Sequence, residues 1–255
     1  MQIAYDIIGN KEKAIALLGV SVKNPKKAAK EIMKRHKAVK SVLQKLSERK
    51  DIYRLYPCKL IAGDKDTEVV HKEYGYLIKL DPQKVYFSPR EGTERQRIAN
   101  MVKPGENILI FFSGAGPYSL AISKKEPLCK ITNVEINMKA VEYAEKNVRL
   151  NGLHNIKNYC ADARYIRNLG KFDRIIMPLV ETAIEFLDEA FLYSKKGTII
   201  HLYGLSNEKE NFKDLEKKVE EIANIYNIKY KIVGRQRVLP YAPRISKVRL
   251  DVKIV

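Results

Sequence analysis

Two short apolar runs, QIAYDIIG and KAIALLGV, open the chain and are split by Asn10 and a charged turn, a spacing that predicts a pair of strands. Asn24 followed by Pro25 supplies the cap and first turn of a helix. Ala28, Ala29, Ile32 and Met33 then form one apolar stripe, so the helix is expected to run to about His36. Val39 to Leu46 fits either a longer helix or a β-branched strand, and periodicity does not separate the two. From Tyr53 the pattern is extended, in CKLIAG, TEVVHKEYG and YLIKLD, with turns at GDKD and Gly75. Residues 1–90 therefore read as a small α+β domain.

After Thr93 strand-length apolar runs alternate with helical patterns. TERQRIANMV is helical, whereas ILIFF, ITNVE, IKNYCAD, FDRIIMP and GTIIHLYG are strand-like. Helices are expected from Pro117, over KAVEYAEKNVRLNG, from Glu181 to about Tyr193, and over FKDLEKKVEEIANIY. Such alternation builds a parallel sheet covered on both faces. The last two runs, YKIVGRQRV and KVRLDVKIV, are joined through a turn around Pro240 and Pro243 and should pair antiparallel at the end of the sheet. A seven-stranded, mostly parallel sheet with a terminal hairpin over residues 91–255 is the layout of a class I, Rossmann-like α/β methyltransferase.

The informative stretch is NILIFFSGAGPYSL, from Asn107 to Leu120. A strand breaks at Gly114 and Gly116, and Pro117 can start a helix. Glycines admit a ligand close to the backbone, and the amides of a helix N-terminus favour polar groups. Glu135, at the end of ITNVE, is placed to accept hydrogen bonds from ribose hydroxyls. A dinucleotide fingerprint needs a third glycine where Ser119 stands, and a phosphate-binding loop needs a Gly-Lys-Ser/Thr ending that is absent. S-adenosylmethionine carries no phosphate and fits what is present. An ordinary strand-to-helix turn is the competing account of the two glycines. Glu135 and Asp162, each ending an apolar run, tip the balance, and ligands in such sheets sit at the carboxyl ends of the strands, where Gly114, Glu135, Asp162 and Pro178 all fall.

At 255 residues and 45% hydrophobic content the chain can bury a substantial core, and no apolar run reaches the roughly 20 residues that a membrane span needs. Met1 is not followed by a signal sequence, so a cytosolic protein is expected. Cys58, Cys129 and Cys160 are widely spaced and read as small buried apolar residues, and the four histidines lack metal-ligand spacing, so no metal is expected. The formal net charge of +18 favours a phosphate-rich partner over a merely solvated surface. Basic residues also concentrate: Lys23 to Lys50 holds eleven lysines and arginines against Glu31 and Glu48. Nucleic acid is the expected partner.

YDIIGN, KEYG, KVYFSPREGTERQRIA, FSGAGPYS, VEINMKAVEYAEKNVRLNG, FDRIIMP and RVLPYAP together resemble the archaeal tRNA methyltransferases that act on N1 of guanosine at position 37, and their wyosine-pathway relatives. The resemblance covers essentially the whole chain. It implies S-adenosylmethionine as cofactor and tRNA as partner, with position 37 of the anticodon loop as target, in a cytoplasmic monomer. It implies that Arg54 polarises guanine O6 and that Glu94 takes the N1 proton. This makes chemical sense, because attack by a weakly acidic N–H needs a base and a cation near the oxygen that gains charge. Tyr86, Arg95, Phe112, Gly114, Gly116, Glu135, Asp162, Ala163 and Pro178 are implied around the cofactor, with Glu135 on the ribose and Asp162 near the adenine amino group. Family members usually carry a further small N-terminal domain. YDIIGN lies at the very start here, so that domain is expected to be absent.

Three positions depart from the family pattern. Ile110 stands for an aspartate that contacts the cofactor, and Ser113 stands for an alanine. At the end of the fourth strand Pro178-Leu179-Val180 replaces Asn-Leu-Pro, which removes an amide hydrogen bond to the target base. Pro178 resembles the subgroup that also methylates C7 of 4-demethylwyosine, and places it among the implied catalytic residues with Arg54 and Glu94. The runner-up is transfer of the cofactor's aminocarboxypropyl group onto a wyosine precursor, against which Pro117 argues, because those relatives usually have Tyr-Phe after the second glycine. A tRNA-binding relative without catalysis is the third reading, supported by Ile110 and opposed by Arg54, Glu94 and Glu135 together.

Overall fold

A computed structural model describes residues 4–47, 49, 52–209 and 211–255. The first sheet is built from β1 (Tyr5–Gly9) and β2 (Ala14–Leu18), paired antiparallel. α1 (Pro25–Arg35) then carries the chain to β3 (Val39–Lys45), parallel to β2, and β4 (Cys58–Gly63) closes the sheet antiparallel to β3. The Asn24 side chain caps α1 by accepting from the Lys27 amide at 3.2 Å. The helix stops because His36 turns extended, at φ −118° and ψ 92°. That settles the ambiguity over Val39 to Leu46 in favour of a strand, whose Val42 and Leu43 are buried completely against its neighbours.

β5 (Val69–Glu73) and β6 (Tyr76–Leu80) form a hairpin of their own, outside the first sheet. Tyr74 (φ 40°) and Gly75 (φ 86°) both adopt positive φ, which a two-residue hairpin turn requires. A 3-10 turn at Pro89–Glu91 leads into α2 (Gly92–Met101). The large sheet follows: β7 (Asn107–Phe111), α3 (Pro117–Lys125), β8 (Lys130–Glu135), α4 (Met138–Leu150), β9 (Ile156–Cys160), β10 (Phe172–Met177), α5 (Leu187–Leu192), β11 (Ser194–Asn207), α6 (Lys213–Ile225), β12 (Tyr230–Ala242) and β13 (Ile245–Ile254). Its order is β12-β13-β11-β10-β7-β8-β9, with β9, β8, β7, β10 and β11 mutually parallel and β13 and β12 antiparallel.

Two expectations need adjustment. The segment from Glu181 begins as a 3-10 turn at Ala183–Phe186 before α5. Pro240 lies inside β12 opposite Ser246, in a stretch of shifted register, so the reversal is confined to Pro243 and Arg244, the latter at φ 59°.

Alternation along β7 explains why the sheet is covered on both faces. Ile108 and Ile110 belong to one core, with Leu120, Ile131 and Tyr203, while Leu109 and Phe111 belong to another, with Ile175, Met177 and Leu202. The first core does not stop at the large sheet. It continues through Ile78 and Leu80 of the hairpin to Ile8, Ile15 and Leu43 of the small sheet. Asn147 and Asn151 of α4 seal the hairpin's edge by bonding the backbones of Lys79 (2.6 Å) and Leu77 (2.8 Å). Among the cysteines, Cys129 is buried and Cys58 half-buried, but Cys160 is exposed, contrary to the expectation of burial, because it ends a strand at the edge of the sheet. No helix among the described residues is long and apolar enough to cross a membrane.

Candidate active site

Four adjacent parallel strands, β10, β7, β8 and β9, end in line, and their ends carry the chemistry. β7 gives way to Phe112 (φ 55°), Gly114 (φ 56°) and Gly116 (φ 82°), all in the left-handed region. A side chain on Gly116 would meet the Ser119 hydroxyl at 3.0 Å, so that glycine is needed for space as well as conformation. A non-glycine residue such as Phe112 held in this region costs about 1–3 kcal/mol and marks a backbone bent for a purpose. Glu135, at the tip of β8, accepts from the Gly114 and Asn137 amides, both at 2.8 Å. Burial raises its carboxyl above the usual range despite these hydrogen bonds.

Three cavities meet along this edge. One, of about 330 Å³, lies over the ends of β8 and β9 between Ile136, Asp162, Ala163 and the edge-to-face rings of Phe112 and Phe186, whose centroids are 4.8 Å apart. An apolar slot with a carboxylate at its rim suits a flat adenine with an amino group. Asp162 is held below the usual carboxylate range by its hydrogen bonds to Arg164, the shortest at 2.6 Å, with burial working against them. A narrow second cavity of about 70 Å³ runs past Ser113, Gly114 and Pro117 to Tyr86, Arg95 and Pro178. Here the buried Ser113 hydroxyl has no hydrogen-bond partner among the described residues, an orphan that a polar ligand would satisfy. The third cavity is wide, about 600 Å³, and strongly charged.

Arg54 lines all three. It sits on the loop between β3 and β4 at φ 56°, paired with the Glu181 carboxylate. Glu181 also takes the Tyr241 hydroxyl at 2.6 Å and approaches Arg49 at 3.5 Å. The Arg49 guanidinium lies 4.7 Å over the Tyr86 ring and donates to the Tyr56 hydroxyl at 2.9 Å. Burial pushes the Tyr86 hydroxyl well above its ordinary pKa. Arg49, Tyr56, Glu181 and Tyr241 were not singled out from sequence; only the basic run containing Arg49 gave any signal.

The implied residues are not all brought together. Phe112, Asp162 and Ala163 flank the slot over β8 and β9, while Tyr86, Gly114 and Pro178 line the narrow passage. Gly116 and Glu135 line none of the three cavities and act beneath them, through the turn and its amides. Arg95 touches the passage, but its guanidinium is committed to Glu73 (2.8 and 2.5 Å) and the Ser88 carbonyl (3.1 Å), tying the hairpin to α2. Glu94 lines none of these three cavities. It is 2% exposed and held by Arg97, Arg249 and the Tyr203 hydroxyl, the last at 2.8 Å. Three positions earlier, in the turn just before α2, Glu91 lines both the narrow passage and the wide cavity, paired with Lys247 at 2.8 Å.

Glu94 is one end of a sealed chain of charges. Arg249 also grips Asp251 (2.7 and 3.1 Å) and Asp251 meets His201 Nδ1 at 2.6 Å. Arg174 Nη1 meets His201 Nε2 at 2.6 Å and pairs with Glu106 at 2.7 and 2.9 Å. Because arginine can only donate, Nε2 accepts, Nδ1 carries the hydrogen, and His201 is neutral. Full burial accordingly lowers its pKa. Burial works to raise the Asp251 carboxyl, but the hydrogen bonds from His201 and Arg249 outweigh it and bring it down to about 2.

The glycine turn after β7, the buried acid at the tip of β8 and a seven-stranded, mostly parallel sheet ending in an antiparallel hairpin are the marks of a class I methyltransferase, an enzyme class that uses S-adenosylmethionine. The chain belongs to the TRM5/TYW2 methyltransferase family, whose domain matches residues 69–233. It is 36% identical over 252 residues to the tRNA (guanine(37)-N(1))-methyltransferase Trm5b of Pyrococcus abyssi, covering 98% of this chain and 74% of the relative. It is 33% identical to the tRNA (guanine(37)-N(1))/4-demethylwyosine(37)-methyltransferase Taw22 of Nanoarchaeum equitans, covering 96% and 99%. The solved complex of aTrm5 with tRNALeu superposes with a TM-score of 0.86, at 32% identity, covering 100% of this chain and 73% of that one.

Proposed function

We propose that the chain transfers the methyl group of S-adenosylmethionine to N1 of guanosine at position 37 of tRNA. The observation that carries this reading is the placement of Arg54 at the junction of the adenine slot, the narrow passage and the wide charged cavity. The bound cofactor would supply a methyl group activated on sulfur. The remaining roles belong to this chain. The slot by Asp162 and Ala163 and the turn at Gly114, with Glu135 behind it, hold the adenosyl end, and the Ser113 hydroxyl gains a partner. A guanine entering the wide cavity takes the place of Glu181 on Arg54, which then faces O6 as negative charge develops there.

Glu94 is the proton acceptor that the resemblance implies. Its distance from the cavity in the ligand-free chain does not exclude the role, because catalytic hydrogen bonds often form only in the substrate complex. The small domain of residues 1–90 contributes the RNA-facing charge: Lys26, Lys27, Lys30 and Lys34 of α1 are exposed, and Lys45 and Arg49 reach the wide cavity. Lys50, the end of the basic run, lies outside the described residues. The protein is proposed to act in the cytoplasm as a monomer, on the anticodon loop.

A second reading adds C7 methylation of 4-demethylwyosine. Pro178 favours it, since it lines the passage without offering an amide to guanine.

Unmodified and wyosine-precursor tRNA would be incubated with labelled cofactor and digested to nucleosides. N1-methylguanosine is the expected product, and label on neither substrate would sink the reading. Glu94→Gln should retain cofactor binding and lose roughly 100-fold to 10,000-fold in single-turnover rate, the range for a lost general base. Near-normal turnover would remove Glu94 from that role.

A further inference from the structure

Among the described residues Glu91 is the one carboxylate on the wall of the narrow passage, and it borders the wide cavity as well. It is held at an unusual post. Its residue is 6% exposed and Lys247 is 2% exposed, so the pair is almost wholly withdrawn from water. Oε2 accepts from Lys247 Nζ at 2.8 Å, whereas Oε1 has only a long contact, 3.5 Å, with the Tyr86 hydroxyl. Lys247 is itself seated 4.8 Å over the Tyr203 ring. One oxygen is anchored by a cation and the other is left facing a cavity with capacity to accept. A buried charge pair is costly unless its remaining acceptor sites are filled, so a ligand donor at Oε1 would complete it.

Arg54 and Pro178 border the same passage. If Arg54 meets guanine O6, the base's donor edge extends away from it, ending in the 2-amino group. Proline at 178 offers no side-chain acceptor there. Glu91 does. A carboxylate only accepts, so it suits an amino group and rejects a bare C–H or a second carbonyl.

We propose that Glu91 reads the 2-amino group of the target guanine through Oε1, with Lys247 fixing its orientation, and so takes over a recognition task that Pro178 cannot perform. This rests on the reading of the wide cavity as the target-base site. It makes Glu91 a specificity residue, distinct from the proton acceptor.

The test uses tRNA transcripts carrying either guanosine or inosine at position 37, since inosine lacks only the 2-amino group, with the full chain and labelled cofactor. The unaltered protein should prefer guanosine by roughly ten- to hundred-fold in kcat/KM, the range for a hydrogen bond to a charged group. Glu91→Gln keeps an acceptor oxygen and should retain part of the preference. Glu91→Ala alone would strand the buried Lys247, so it is paired with Lys247→Met, which removes both charges. That double variant should methylate the two transcripts within about threefold of each other. Full preference in the double variant, or none in the unaltered protein, would overturn the proposal. So would a Glu91→Gln variant that loses both substrates equally by a hundredfold or more, which would make Glu91 a proton acceptor. Weakened cofactor affinity with the preference intact would assign Glu91 to the cofactor and overturn it as well. If the unaltered protein labels neither transcript, the base-site reading itself falls, and the proposal with it.

Discussion

Two sets of ion pairs, built from the same residue types, lie on either side of α2 and behave as opposites. Around the wide cavity Arg54 and Glu181 keep 20% and 25% of their side chains exposed. In the sealed chain Arg174 and Asp251 keep 2% and 4%. The open set can exchange one partner for another at low desolvation cost, which is what a substrate site requires. The sealed set links β10, β11, β13 and α2 in one run of hydrogen bonds, so Arg174, His201, Arg249 and Asp251 are structural joints, and removing one strands its neighbours. Charge alone therefore does not mark function in this protein. Access to a cavity separates Arg54 and Glu181 from Arg174, His201, Arg249 and Asp251.

The strongest way to sharpen that contrast is Arg174→Met, which leaves Glu106 and His201 without their shared donor. A loss of about 3–5 kcal/mol in unfolding free energy is expected by chemical denaturation, with tRNA affinity per folded molecule unchanged. A loss below about 1 kcal/mol would put the sealed chain on a par with surface pairs.

Acid offers a second, smaller test. His201 has a lowered pKa in the folded state, so the unfolded chain binds its proton first as pH falls. Stability from this group is present above about pH 6.5 and is lost below it, by up to about 1.4 kcal/mol per pH unit. Asp251, brought down to about 2, adds a further loss as pH falls from the unfolded value near 3.8 toward 2. Thermal unfolding across pH 4 to 7.5 should show the first of these windows, and His201→Gln should flatten it. A flat profile in the unaltered protein would mean that His201 is not held neutral.

The smallest effect is expected on the open side. Glu181→Gln should change stability by less than about 1 kcal/mol, because its partners remain partly hydrated. Freed from the carboxylate, Arg54 and Arg49 should bind tRNA about two- to fivefold more tightly at low salt, measured by filter binding. Weaker binding would mean that Glu181 holds the arginines in place for substrate instead of competing with it.

The fold was largely legible in the sequence because its signals are local. Alternating apolar runs gave the sheet, Asn24-Pro25 gave α1, and the glycines with Glu135 gave the turn and its acid. Val39 to Leu46 was ambiguous because a largely buried strand reads like a helix segment until its partner β2 is known. Pro240 misled because proline is tolerated in the outermost strand, where no neighbour needs its missing hydrogen. The site was legible only in part. Glu94 and Arg249 are 155 positions apart and Glu91 and Lys247 are 156, so no periodicity could pair them. Lys247, Arg249 and Asp251 alternate along β13 like an exposed face, yet they point into the molecule. The choice between Glu91 and Glu94 for the cavity wall depends on which way a single helical turn faces, and only three-dimensional placement settles that.

The hydrophobic core that runs from Ile108 and Ile110 through the hairpin to Ile8 and Ile15 has a consequence for folding. Each sheet shares one face of its interior with the other, so melting either one exposes apolar surface of its neighbour. Heating should give one calorimetric transition whose van't Hoff and calorimetric enthalpies agree. A fragment ending near residue 90 would expose Ile8, Ile15 and Leu43 to water and should populate a loose, aggregation-prone ensemble. The cooperative unit of this protein is then expected to be the whole chain.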